Sequence, residues 1–200
     1  MKYSEDPRLL HIASQFIGEE LTALNCMIIN KPPSSARHPS HQDAFYFPIR
    51  PMNVIASWTA VDAATLENGC LYLVPGSHKL DLLPHEAFQD SKKFFHSIVD
   101  EPTFAPEHKR VYLEMSPGDT VLFHPHIIHG SKTNNSKGYR KSMTIHYMNS
   151  SCQYVDLTDT VQQSVLKDFE LMVQKNGVPE NYQVMWKLKS KVVKGTRSHL

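Results

Sequence analysis

Between Pro7 and Ile17 the apolar residues Leu9, Leu10, Ala13, Phe16 and Ile17 recur at the spacing of a helix with one buried face. Asp6 stands where an N-cap belongs and Gly18 where the helix should stop, so the pattern predicts a helix over 7–17 packed against a larger body. From Cys26 the texture changes to short apolar runs separated by turn residues, which predicts an all-β sandwich or barrel. The expected strands are Cys26–Asn30, Asn53–Val61, Cys70–Val74, Arg110–Met115, Thr120–Phe123 and Arg140–Met148. Glu67-Asn68-Gly69, Pro75-Gly76-Ser77 and Ser116-Pro117-Gly118-Asp119 supply tight reversals, and the last is expected to join its two strands as a hairpin. Val161, Val165, Phe169 and Met172 then return to helical spacing. Asp159 is the expected cap of that second helix, Gly177 and Pro179 its end, and one sheet its packing partner.

No internal repeat, low-complexity tract or linker divides the 200 residues, so a single domain over 1–200 is expected. With 40% apolar and 20% charged residues the chain can bury one sizeable core. The 21 basic and 20 acidic side chains leave a net charge of +1, which gives no global field for nucleic acid or an anionic membrane surface. No apolar run approaches the ~18 residues of a membrane span, and Met1–Glu5 leads into Asp6-Pro7 where a secretory signal would need its apolar core. Cys26, Cys70 and Cys152 are far apart and suit free thiols in a reducing compartment. A soluble, unsecreted protein is expected.

Histidine changes the picture, with 12 in the chain and a cluster at His124, His126 and His129. In an extended segment, His41-Gln42-Asp43 projects an imidazole and a carboxylate from the same face, where both can meet one ion. One imidazole of the cluster would complete a two-His, one-carboxylate facial triad, the donor set of non-haem Fe(II) oxygenases rather than of closed structural zinc sites. His129 is preferred because it sits where a strand meets Gly130 and a backbone can approach a ligand; His126 is next, and His124 suits a structural role. Lys132–Gly138 reads as a polar loop and Tyr139–Met148 as a returning strand, which brings Arg140 back beside His129 and Ser131. A guanidinium fork and a hydroxyl there would hold an anion near the metal.

The stretches Ile29–Pro33, Arg37-His38-Pro39, His41-Gln42-Asp43, Tyr46-Phe47-Pro48, Trp58-Thr59-Ala60, Asn68–Leu71, Pro75–Lys79, Gly118-Asp119-Thr120, Ile128–Ser131 and Gly138–Lys141 together resemble the phytanoyl-CoA dioxygenase family, over roughly Cys26 to Leu200. The resemblance implies a mainly β double-stranded β-helix, a cupin-like jelly roll with flanking helices. It implies Fe(II) on His41, Asp43 and His129, and 2-oxoglutarate with its distal carboxylate on Arg140 and Ser131 and with Trp58 nearby; ascorbate would be a supporting reductant. The implied reaction is 2-hydroxylation, with O2, of a branched-chain acyl-CoA such as phytanoyl-CoA, releasing succinate and CO2. Family members carry a long segment ahead of the matching region, so a domain lacking the family's N-terminal part is expected. Two other readings are a non-catalytic jelly roll that binds a ligand or partner, and an oxygenase of the same family acting on another small metabolite. Lys187, Lys189, Lys191, Lys194 and Arg197 are candidates to meet coenzyme A phosphates. Ser198-His199-Leu200 fits the small–basic–Leu terminus read by a peroxisomal import receptor; without that signal a cytoplasmic location is expected.

Overall fold

The computed structural model describes residues 2–88, 95–176 and 181–195. The first helix forms as its pattern predicts: α1 (Pro7–Ile17) is capped by the Asp6 side chain, which accepts the Arg8 amide at 2.9 Å, and ends at Gly18 with φ +89°. Leu9, Ala13 and Ile17 are buried, whereas Phe16, at the margin of that stripe, is left 68% exposed. The helix covers the outer face of a large sheet through Leu21, Ala23, Ile55, Ile145 and Tyr147.

The strands are β1 (Leu21–Lys31), β2 (His38–His41), β3 (Ile49–Arg50), β4 (Val54–Ala60), β5 (Leu71–Leu73), β6 (His85–Ala87), β7 (His96–Ile98), β8 (Val111–Leu113), β9 (Thr120–Phe123), β10 (His129–Ser131), β11 (Arg140–Asn149), β12 (Gln153–Tyr154) and β13 (Lys191–Lys194). A short α2 (Glu101–Phe104) follows β7. Antiparallel pairing gives a five-stranded sheet in the order β13-β1-β11-β4-β9 and a four-stranded sheet in the order β2-β10-β5-β8. Two ribbons, β12-β3 and β6-β7, flank them. This is a jelly roll, and Ala56, Trp58, Leu71, Phe123 and Ile127 fill its interior between the sheets.

Several expectations are corrected. β1 begins five residues before Cys26, because Leu21–Ala23 pairs with Tyr147–Asn149 of β11. The turn Ser116–Asp119 is not a hairpin: β8 pairs with β5 and β9 pairs with β4, so the chain crosses from the small sheet to the large one. The loop from His129 to Arg140 does the same, with β10 bonded to β2 and β5, and β11 bonded to β1 and β4. Turn residues mark a reversal but not which neighbour supplies the ladder bonds. About half of the strands are two to four residues long and lack an apolar run, which is why a count of apolar runs gives six.

The second helix, α3 (Gln163–Asn176), starts after Val161, which is 50% exposed, and Asp159 sits in a turn at φ +58° instead of capping it. Thr160 forms a tight turn ahead of the helix, its hydroxyl accepting the Gln162 amide at 3.2 Å. Val165 and Phe169 are buried with Phe45, Phe47 and Ile49, so α3 closes one end of the sandwich. An unpredicted α4 (Tyr182–Lys189), capped by Asn181, packs Tyr182 and Trp186 into the same cluster. Lys191 and Lys194 pair with Glu5 and Glu19, and Lys187 and Lys189 lie over the Tyr154 and Trp186 rings, so four of the basic tail's five members pack along this edge. The Met172 side chain, Gly177, Pro179, Arg197 and Ser198-His199-Leu200 lie outside the described residues. Among the described residues no helix is long and apolar enough to cross a membrane.

Candidate metal centre

β2 ends on His41, Gln42 continues extended at φ −113°, ψ 126°, and Asp43 opens a 3-10 turn over Asp43–Tyr46. The imidazole and the carboxylate therefore reach the same space, although Asp43 lies just past the strand. β10 runs beside β2 with His129 opposite His41, which places the second imidazole next to the first. The ring centroids are 4.2 Å apart. His41 Nε2 and His129 Nε2 stand 3.4 Å and 3.6 Å from Asp43 Oδ1. All three residues are buried, and among the described residues theirs is the one group of three His, Cys, Asp or Glu donors close enough to hold a metal ion.

The tautomers follow from the backbone. His41 Nδ1 lies 2.9 Å from the Pro39 carbonyl and His129 Nδ1 3.0 Å from that of Ile127. A carbonyl can only accept, so each Nδ1 carries the proton and each Nε2 offers its lone pair, as metal ligation requires. Burial, with the His41 charge adding to it, pushes His129 down to about 4, so it is neutral at pH 7. Burial alone would raise the Asp43 carboxyl, but the imidazoles that face it, with His146 hydrogen-bonded to Oδ2, hold it well below its ordinary value. Two imidazoles and one carboxylate on one side of a cavity form a donor set suited to a divalent metal with open positions.

Of the three clustered histidines, His129 is the one the structure brings beside His41 and Asp43. His124 and His126 sit on the outer turn before β10, 5.3 Å apart ring to ring, and neither reaches the donor set.

Arg140, at the start of β11, lines the same cavity as Ser131, Trp58 and the three donors. It is 2% exposed, donates to Ser142 Oγ at 3.2 Å, and lies with Cζ 5.2 Å from the Trp58 centroid. Its Nε has no hydrogen-bond partner and no carboxylate pairs with it among the described residues. Burial pushes the guanidinium down from its ordinary value to about 10. A desolvated, unpaired cation is costly, and its presence beside a metal-donor set marks a seat for an anion. Ser131 also receives Lys31 Nζ at 3.4 Å, which adds positive charge at the same end. Larger clefts exist, one of about 390 Å³ between Pro48, Leu157 and Phe169, but among the described residues no donor cluster lines them, so size does not mark the site.

Sequence reasoning missed four contributors. His146 Nε2 lies 2.9 Å from Asp43 Oδ2. His38 and Thr144 complete the cavity wall. Gln42 points away from the cavity and ties its rim together, donating to the His126 carbonyl at 2.9 Å and accepting the Leu83 amide at 2.8 Å. The signal for two of them was present: Arg140, Ser142, Thr144 and His146 alternate along β11 as a buried polar stripe, which a strand with a purely apolar inner face would not carry.

A sequence profile of the phytanoyl-CoA dioxygenase (PhyH) family matches residues 2–142. The chain belongs to this family. The match extends the resemblance upstream of Cys26 to include α1. The peroxisomal phytanoyl-CoA dioxygenase of Rattus norvegicus is 37% identical over 210 residues, covering all of this chain and 61% of the rat protein. A probable phytanoyl-CoA dioxygenase of Caenorhabditis elegans is 38% identical over 220 residues, covering all of this chain and 70% of the nematode protein. The chain thus spans about three fifths of the length of the mammalian relatives it matches. Among solved structures, EvdO2 from Micromonospora carbonacea var. aurantiaca complexed with 2-oxoglutarate superposes with a TM-score of 0.63 at 28% identity, over 77% of this chain and 64% of that one. The non-heme monooxygenase ThoJ shares the fold, with a TM-score of 0.66 at 20% identity over 93% of this chain and 74% of that one.

Proposed function

We propose that this protein is an Fe(II)- and 2-oxoglutarate-dependent oxygenase that hydroxylates the carbon beside the thioester carbonyl of a branched-chain acyl-CoA. One observation carries the reading: a buried His41, Asp43 and His129 donor set shares its cavity with Arg140, a buried guanidinium that no carboxylate pairs among the described residues. His41 and His129 would bind the metal through Nε2 and Asp43 through Oδ1. Arg140 would take the distal carboxylate of 2-oxoglutarate in a charge-assisted pair, Ser131 would add a hydroxyl, and Trp58 would support the guanidinium from below. Bound Fe(II) with the keto acid and O2 supplies the oxidising power, with ascorbate as a supporting reductant. Met27, Ile29, Leu71 and Phe123 line the remaining wall and would keep water from the reacting carbon.

The acyl-CoA substrate and a peroxisomal setting are carried over from the rat and human relatives, which bear the name phytanoyl-CoA dioxygenase, peroxisomal. The test supplies the protein with Fe(II), 2-oxoglutarate, O2 and a panel of branched and straight acyl-CoA esters, and measures succinate and hydroxylated product together. Iron-dependent succinate matched by a 2-hydroxyacyl-CoA is expected. Succinate matched only by another added metabolite would reassign the substrate, and no iron-dependent succinate would refute the chemistry.

A further inference from the structure

Asp43 has two carboxylate oxygens with different surroundings. Oδ1 faces the Nε2 atoms of His41 and His129, whereas Oδ2 faces His146 Nε2 at 2.9 Å. His146 belongs to β11, in the opposite sheet from β2 and β10, and it is buried at 3% exposure with its ring edge-on to Phe47 at 5.0 Å. Its register is fixed on both sides, opposite Asn25 of β1 and Ala56 of β4. It therefore reaches Asp43 from a strand paired on both sides, while Asp43 itself lies on a short 3-10 turn after β2. A carboxylate accepts only, so this contact requires the proton on His146 Nε2. That proton occupies Oδ2 and leaves Oδ1 alone to face the other donors.

We propose that His146 is a positioning residue that fixes Asp43 as a single-oxygen metal ligand, so that the carboxylate cannot turn to claim a second position in the metal's coordination sphere. This rests on the reading of His41, Asp43 and His129 as a metal site. Outer hydrogen bonds of this kind govern affinity by roughly 10–100-fold in other metal sites.

The test uses Co(II) alone as the probe, with the wild-type chain, His146→Phe, which removes the donor, and His146→Gln, which keeps an N–H of similar reach. Wild type should bind one equivalent. His146→Phe should bind it roughly 10–100-fold more weakly and with an altered visible spectrum, while His146→Gln should restore both. A purely structural role would lower the melting temperature of the metal-free protein without rescue by Gln, and a direct ligand would lose the metal in both variants; either result overturns the proposal. Independently of any variant, nitrogen-resolved NMR of the wild type should show His146 as the Nε2–H tautomer with a slowly exchanging proton. The Nδ1–H tautomer would overturn it as well. A wild type that binds no Co(II) refutes the metal site itself and the proposal with it, whereas equal binding by wild type and His146→Phe refutes only the role of His146.

Discussion

Replacing Arg140 by methionine separates function from stability because the two should change in opposite directions. At neutral pH the buried guanidinium is charged, and burial has moved it down from its ordinary value to about 10. A cation with a depressed folded value destabilises the fold below that value, and the penalty fades as pH rises through about 10 towards the unfolded value. A drop of this size corresponds to about 3 kcal/mol. Against it stand a contact with the Trp58 ring, worth about 1 kcal/mol, and the hydrogen bond to Ser142, worth about 1 kcal/mol. Methionine keeps most of the volume, so the metal-free variant should be more stable than wild type by about 1 kcal/mol, or roughly 2–4 °C in a domain of this length. The ligand response should reverse. With a divalent metal and 2-oxoglutarate at 100 times its dissociation constant, wild type gains about 2.7 kcal/mol, and the variant should gain almost none from the keto acid. Thermal scans with and without 2-oxoglutarate read both effects. A ligand-free variant less stable by 3 kcal/mol or more would mean that Arg140 has a structural partner, and an intact keto-acid response would remove it from the anion seat.

His129→Ala should abolish the rise in melting temperature on adding Co(II), whereas His126→Ala and His124→Ala should keep it; the reverse pattern would shift the site to the outer turn. Gly130→Ala should unfold the site or the chain, because a Cβ there overlaps the Tyr72 hydroxyl and comes within 2.7 Å of the His38 carbonyl, and circular dichroism with a metal titration would detect it. Glu101 accepts from Arg37 at 2.8 Å and 2.9 Å, from Arg110 at 3.0 Å and from Ser40 at 2.7 Å. Burial alone would raise its carboxyl, but these partners hold it below the usual range, so its contribution is present above the unfolded value and lost as pH falls through the lower folded one. Glu101→Gln should therefore cost about 2–3 kcal/mol at pH 7 and flatten the acid limb of the stability curve; an unchanged limb would show that the cluster is not coupled to folding.

The long elements were legible in the chain because period carries them: α1 from Leu9, Ala13 and Ile17, and β4 and β11 from their extended runs. The short strands were not. β2 consists of His38-Pro39-Ser40-His41, with no apolar pattern, and exists because β10 pairs with it. The jelly-roll crossings were hidden for the same reason, since ladder partners are chosen across the sandwich. His41, Asp43, His129 and Arg140 could be found by residue type and spacing. His146 was legible only as a member of the polar stripe of β11, because its role depends on facing Asp43 across 103 residues of sequence. Gln42 sat inside the motif, yet its side chain serves the rim on the opposite face.

The most direct measurement is a crystal structure of the protein loaded anaerobically with Fe(II) and 2-oxoglutarate. One metal ion should be bonded to His41 Nε2, His129 Nε2 and Asp43 Oδ1, with the distal carboxylate of the keto acid on Arg140 and His146 still donating to Asp43 Oδ2. Metal bound instead at His124 or His126, or keto acid seated away from Arg140, would contradict the assignment of this cavity as an iron and 2-oxoglutarate centre.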